Sequence, residues 1–258
     1  MPSDSKTRQS ENNTPRTCVV LRTHFIDNYV YNDAYLPLHN SLPENYHLVV
    51  AHDQTTHRWP ADQFPVTDLL RFDEASMRER NTLHKGNWHN LDSLLNHLYE
   101  QRTGFDRYWI IEYDVRFSGN WASFLTEQDQ NCAEDALLIN GTWPFNGDHN
   151  WWAWHELEWG EDKPLAERYA GFIFLGRFSK ELLQCIHEQI GIRSGYAEVY
   201  PPTLCNEFGF STAAIDKQFH GSTCATDSEV DSHEYAQLVQ SEPNKIFHKV
   251  RESKNETT

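Results

Sequence analysis

No stretch of this 258-residue chain reaches the roughly 18 consecutive apolar residues that a membrane-spanning helix needs. Positive charge is scarce: 22 Lys and Arg stand against 38 Asp and Glu, a net charge of −16. Nucleic-acid backbones are held by clustered Lys and Arg, and anionic membrane surfaces attract the same residues, so this composition argues against both partners. Cysteine is present without a pattern. Cys18, Cys132, Cys185, Cys205 and Cys224 are odd in number and form no CxxC pair. That suggests neither a disulfide framework nor a zinc site and fits reduced thiols in a cytoplasmic protein. GxGxxG and GxxxxGK(S/T) are missing too, so neither a dinucleotide fold nor a P-loop is expected. Any phosphate bound by so acidic a chain needs positive charge from elsewhere, and a divalent cation held by carboxylates is the simplest source.

The chain is rich in aromatics, with nine Trp and eleven Tyr, which suit core packing first and flat polar ligands second. Residues 1–16 are polar, lack the apolar centre of a secretory signal, and read as a disordered arm. Short β-branched, apolar runs at 17–21 (TCVVL) and 47–51 (HLVVA) read as buried parallel strands. Residues 90–100 carry the clearest helix. Leu91, Leu94, Leu95, Leu98 and Tyr99 recur at helical spacing, with Asn90 as N-cap and Asp92 in the first turn. After Gly104, the segment 108–113 (YWIIEY) is a dense strand that runs straight into acid. Further strands are expected at 136–139, 169–175 and 245–248, a helix at 179–190, and a loop at 195–210 that turns helical late. A charged tail, 251–258, closes the chain. Strands alternating with helices favour an α/β sheet over a sandwich. No repeat or linker divides 17–250, which is expected to be one domain.

The chemistry centres on Glu112-Tyr113-Asp114. Strand alternation puts Glu112 and Asp114 on one face, at the strand end where open α/β sheets gather ligands. Two buried carboxylates are costly as bare anions. A hard dication such as Mg2+ or Mn2+ relieves that cost and leaves coordination sites for diphosphate oxygens. On the tripeptide alone, a strand that merely exits to solvent through two acids is an equal reading.

The wider arrangement, the helix at 90–100 followed by YWIIEYDVRFSGNW, resembles the glycosyltransferases of the GT-A fold. The resemblance implies an open, mostly parallel central sheet flanked by helices, with a nucleotide-binding half at 17–119 and an acceptor-binding half at 120–250. It implies that the acidic motif binds Mn2+ or Mg2+ together with the diphosphate of a sugar nucleotide. Glu-x-Asp departs from the commoner Asp-x-Asp, and Asp114 matches the position of most direct metal contact. His248, in KIFHK, matches the late histidine that completes the metal shell in many members, and an imidazole suits Mn2+ better than Mg2+. Lys245 or Lys249 are alternatives that would face the phosphates as point charges. Glu198, in SGYAEVYPPT, matches the general base of inverting members, with Glu207 and Asp148 as alternatives. Base and ribose are implied over the ends of the first strands, at Thr23, His24 and Asp53, with Lys85, Asn87 and Asn90 in reach.

The segment 143–159 allows two readings. Trp143, Trp151, Trp152, Trp154 and Trp159 lie among Asp148, His149, His155, Glu156 and Glu158. They form either an aromatic minicore under a long loop or an acceptor site in which Trp143, Trp151 and Trp152 stack on a sugar gripped by Asp148. The activity implied is transfer of a hexosyl or related group from a nucleoside diphosphate sugar, UDP-sugar favoured, to a hydroxyl of a glycan or other acceptor, as in polysaccharide biosynthesis. A soluble chain of this kind is compatible with peripheral attachment to a membrane assembly. The rival readings are a glycoside hydrolase that uses a carboxylate pair and a non-catalytic carbohydrate-binding protein that retains the fold.

Overall fold

The computed structural model describes residues 15–80, 86, 89–159, 163–224 and 228–252. Seven strands form its main sheet: β1 (Thr17–Thr23), β2 (Tyr46–Asp53), β3 (Leu69–Phe72), β4 (Arg107–Glu112), β5 (Ala136–Leu138), β6 (Leu175–Ser179) and β7 (Thr212–Ala214). Their spatial order is β7-β5-β6-β4-β1-β2-β3. Every pairing is parallel except the two made by β6. This is the open, mostly parallel α/β sheet flanked by helices that the GT-A resemblance implies.

The central strands are apolar because they are covered on both faces. All seven residues of β1 are buried, and it lies between β2 and β4, with Val19 opposite both Leu48 and Trp109. Side-chain alternation then separates two cores. Cys18, Val20, Val49, Ala51, Tyr108 and Ile110 face the helices Leu91–Gln101, Lys180–Glu188 and Tyr200–Phe208. Val19, Leu21, Val50, Trp109 and Ile111 face the opposite layer, which includes Leu38 and, from the helix Trp121–Asn131, Phe124 and Leu125.

The helix at Leu91–Gln101 agrees with its apolar stripe. Asn90 occupies its N-cap position, but the Asn90 side chain makes no capping bond. It donates instead to the Gly195 carbonyl at 3.2 Å. The expected strand at 169–175 is shifted. Tyr169–Ala170 pairs with Trp143–Pro144 in a separate ribbon, and the sheet strand is Leu175–Ser179. That strand carries Arg177, which is 1% exposed and pairs with Asp129 at 3.0 Å. A charge inside a strand obscured it from pattern reading. The polar stretch after residue 227 forms a helix, Ser232–Ser241, capped by Asp231. Val250–Arg251 is a short strand paired with Val230–Asp231, so Arg251 stands within the fold and not beyond it. All five cysteines are free, and among the described residues no helix is long and apolar enough to cross a membrane.

Candidate active site

At the carboxyl ends of β1 and β4 the chain opens into a cleft of about 830 Å3. Glu112 is the last residue of β4 and the lateral neighbour of Arg22 on β1. That register brings Arg22 Nη1 to 3.1 Å from Glu112 Oε1, with the Arg22 side chain only 2% exposed. Asp114 follows in the turn after β4. Its amide neighbourhood is fixed from the far end of the chain, because the Val250 N–H donates to the Asp114 carbonyl at 2.9 Å.

The segment that carries His248 is clamped on both sides. Ile246–Phe247 pairs antiparallel with Arg116–Phe117, and Val250–Arg251 pairs with Val230–Asp231. Between the clamps Lys249 adopts a φ of 61°, a left-handed conformation that costs a non-glycine residue roughly 1–2 kcal/mol. The turn brings both of its flanks to one carboxylate. His248 Nε2 lies 3.9 Å from Asp114 Oδ1, and Arg251 Nη2 lies 3.0 Å from Asp114 Oδ2. The His248 ring is held flat on Phe174, with centroids 3.8 Å apart and planes 6° from parallel.

Glu112, Asp114 and His248 each offer a ligand atom, and these atoms all lie within 4.8 Å of one another. Asp114 is 3% exposed, and its Oδ1 has no hydrogen-bond partner among the described residues. A buried carboxylate oxygen left in that state costs free energy unless something else meets it. Burial pushes the Glu112 carboxyl above the usual carboxylate range, and Asp114 adds to the push while Arg22 opposes it. Asp114 is raised by burial as well, against the pull of Arg251 and Arg116. The residues therefore fit a divalent cation. Two carboxylates and an imidazole are a mixed oxygen and nitrogen set, and a dication removes the penalty that both acids carry here.

The other wall of the cleft comes from distant segments. Tyr196, Ala197 and Glu198 reach it from the loop before the helix Tyr200–Phe208. That loop is pinned by the Ala197 N–H on the His89 carbonyl and by the Glu198 carbonyl on the Gly171 N–H, at 2.7 and 2.9 Å. Trp143, Trp151 and Trp152 line the same side. Trp152 is 45% exposed and packs on Tyr196 at 4.5 Å. Trp154 and Trp159 are buried in the core. The segment thus divides: Trp154 and Trp159 belong to the core, and Trp143, Trp151 and Trp152 line the cleft.

The expected site residues divide accordingly. Glu112, Asp114, His248, Glu198, His24, Trp143, Trp151 and Trp152 meet in the cleft. Thr23 is fully buried, with its hydroxyl on the Phe25 carbonyl. Asp53 accepts from the Thr55 N–H and hydroxyl at 3.0 and 2.5 Å. Asn90 is engaged with Gly195, and Asp148 is exposed and bonded to the Asn150 N–H. Glu207 pairs with Lys163 at 2.5 Å away from the cleft. Lys85 and Asn87 lie outside the described residues. Pattern reading missed Arg22, Tyr196, Phe174 and Arg251, all of which line the cleft. For Arg22 a signal existed: a cation ending an otherwise apolar buried strand calls for an anion on the neighbouring strand.

No family model and no curated protein matches the chain. Solved structures do. Mouse xyloside xylosyltransferase 1 in its apo form matches at 10% identity and a TM-score of 0.45, over 91% of this chain and 97% of that one. The galactosyltransferase LgtC, in complex with donor and acceptor sugar analogs, matches at 11% identity and a TM-score of 0.46, over 90% and 86%. A candidate glucose-1-phosphate thymidylyltransferase from Bacillus anthracis matches at 10% identity and a TM-score of 0.35, over 66% and 73%. All three lie below a TM-score of 0.5. The chemistry of the cleft is accordingly read from its own residues.

Proposed function

We propose that this protein is a metal-dependent glycosyltransferase that moves a sugar from a nucleoside diphosphate donor to a hydroxyl acceptor. The observation that carries the reading is Asp114: a buried carboxylate oxygen without a hydrogen-bond partner among the described residues, facing Glu112 and His248, just after the central strand. When bound, Mn2+ or Mg2+ supplies a Lewis acid that neutralises charge on the departing diphosphate. Asp114 and His248 would hold it directly, and Glu112 would do so while oriented by Arg22. Arg22, Lys249 and Arg251 line this side of the cleft beside the two acids and offer cationic groups to a diphosphate donor, with UDP the favoured nucleotide.

On the acceptor side, Glu198 would take the proton of the attacking hydroxyl as general base. Trp143, Trp151 and Trp152 would hold the acceptor by its flat apolar face and exclude water. A glycan acceptor suits such rings. The free thiols fit a reducing, cytoplasmic compartment.

The test is a metal titration of sugar-nucleotide turnover. EDTA stops transfer and Mn2+ restores it, whereas a glycoside hydrolase working through a carboxylate pair is indifferent to both. Asp114→Ala abolishes transfer and keeps the cooperative melt of the parent, since the residue sits in a turn and not in either core. Wild-type turnover by that variant refutes the assignment.

A further inference from the structure

Both acids at the floor of the cleft are already matched by guanidinium groups, but the two matches differ in kind. Arg22 faces Glu112 from the adjacent strand and is 2% exposed, so it has nowhere else to go. Arg251 pairs with Asp114 from the cleft rim and is 40% exposed. Its backbone is fixed by the pairing with Val230–Asp231, while its side chain reaches the cleft rim partly exposed. The guanidinium also lies over the Tyr113 ring, 5.2 Å from the centroid, and donates to the Tyr113 hydroxyl.

Charge sets the constraint. Glu112, Asp114, Arg22 and Arg251 together are neutral. A dication on the acids makes the same site strongly positive, and the diphosphate of a sugar nucleotide restores the balance. A dication on Asp114 Oδ1 weakens the Arg251 contact on Oδ2, because like charges a few ångströms apart repel, and the half-exposed Arg251 can leave where the buried Arg22 cannot. A planar guanidinium freed at that rim matches phosphate oxygens in a bidentate way.

We propose that Arg251 is a donor-phosphate residue that pairs with Asp114 while the cation is absent and moves onto the diphosphate when Asp114 ligates the cation. The inference rests on the metal and diphosphate reading above. It makes cation and donor bind as a coupled pair, each favouring the other.

The experiment measures Mn2+ affinity of the full chain by electron paramagnetic resonance, for wild type, Arg251→Met and Arg251→Lys. Affinity for UDP in saturating Mn2+ is measured on the same proteins. Arg251→Met is expected to bind Mn2+ alone about tenfold more tightly than wild type, and UDP about tenfold more weakly, a coupling within the usual range. Arg251→Lys falls between, and guards against a fold defect in the first variant. Arg251→Met that binds Mn2+ no more tightly than wild type, or UDP no more weakly, overturns the exchange and leaves the metal site standing. Wild-type protein that takes up no Mn2+ overturns the metal reading and this inference with it.

Discussion

Replacing Asp129 by Ala removes one carboxylate that ties four elements of the sheet to the helix Trp121–Asn131. Its Oδ2 accepts from the Thr17 and Tyr46 hydroxyls at 3.0 and 2.7 Å. Its Oδ1 accepts from Trp109 Nε1 at 3.2 Å and from Arg177 Nη1 at 3.0 Å. Arg107 lies 3.5 Å away. These donors sit at or near the start of β1, β2 and β4 and on β6, so Asp129 closes the end of the sheet opposite the cleft. Removing one member of a buried ion pair costs about 3–5 kcal/mol. Two observations bound the figure for this site. Arg177, at 1% exposure, keeps the Cys132 and Glu134 carbonyls at 2.9 and 3.0 Å, which lowers the cost. Trp109, fully buried, loses the Asp129 carboxylate as acceptor, which raises it. We therefore expect about 4 kcal/mol, a large share of the roughly 5–15 kcal/mol that holds a domain together. In a chain of this size that lowers Tm by roughly 8–16 °C. Urea unfolding followed by tryptophan fluorescence reads the change in midpoint, and calorimetry reads Tm. Asp129→Leu combined with Arg177→Met loses less than Asp129→Ala alone, because no fully buried charge is left unpaired, Arg107 being partly exposed. A loss below about 1 kcal/mol for Asp129→Ala, or a double variant no better than the single one, refutes the hub. Mn2+ binding well below Tm stays at the wild-type level in both variants, because the hub and the cleft lie at opposite strand ends.

Asp92 makes the opposite kind of contribution. Burial pushes its carboxyl up to about 7, so the folded chain holds that proton more tightly than the unfolded chain. The associated stability is complete below the ordinary aspartate range near 4 and is lost as pH rises to about 7. Asp92→Asn is expected to raise stability at pH 8 by roughly 1–3 kcal/mol and to flatten the urea midpoint between pH 5 and pH 8; an unchanged pH slope counts against it. Trp152→Ala, at an exposed ring, leaves Tm within about 1 °C and raises the acceptor KM roughly tenfold, with donor KM unmoved. A shift in donor KM instead would place the ring on the wrong side of the cleft.

The parts legible in the sequence share one property: their signal is local. TCVVL, HLVVA and YWII announce buried strands without knowledge of their neighbours, and Leu91–Gln101 shows its stripe within three turns. The acid pair at 112 and 114 is visible because it interrupts an apolar run. The illegible parts depend on partners far away in the chain. LGRFS reads poorly as a strand until Asp129 is placed beside Arg177. Arg251 reads as charged tail until Val230 pairs with Val250 and brings it to Asp114. Thr23, Asp53 and Asn90 are polar candidates by position, and the fold also engages their side chains with Phe25, Thr55 and Gly195. Type and place along the chain do not reveal such commitments.

His248 and Arg251 enter the cleft on the last described strand segment, 134 and 137 positions after Asp114 (248 − 114 and 251 − 114). Closing so long a loop carries an entropy cost that the contacts of the docked segment must offset. On the proposed reading, a chain whose trailing segment has not docked carries both acids and lacks the ligand atom that His248 supplies.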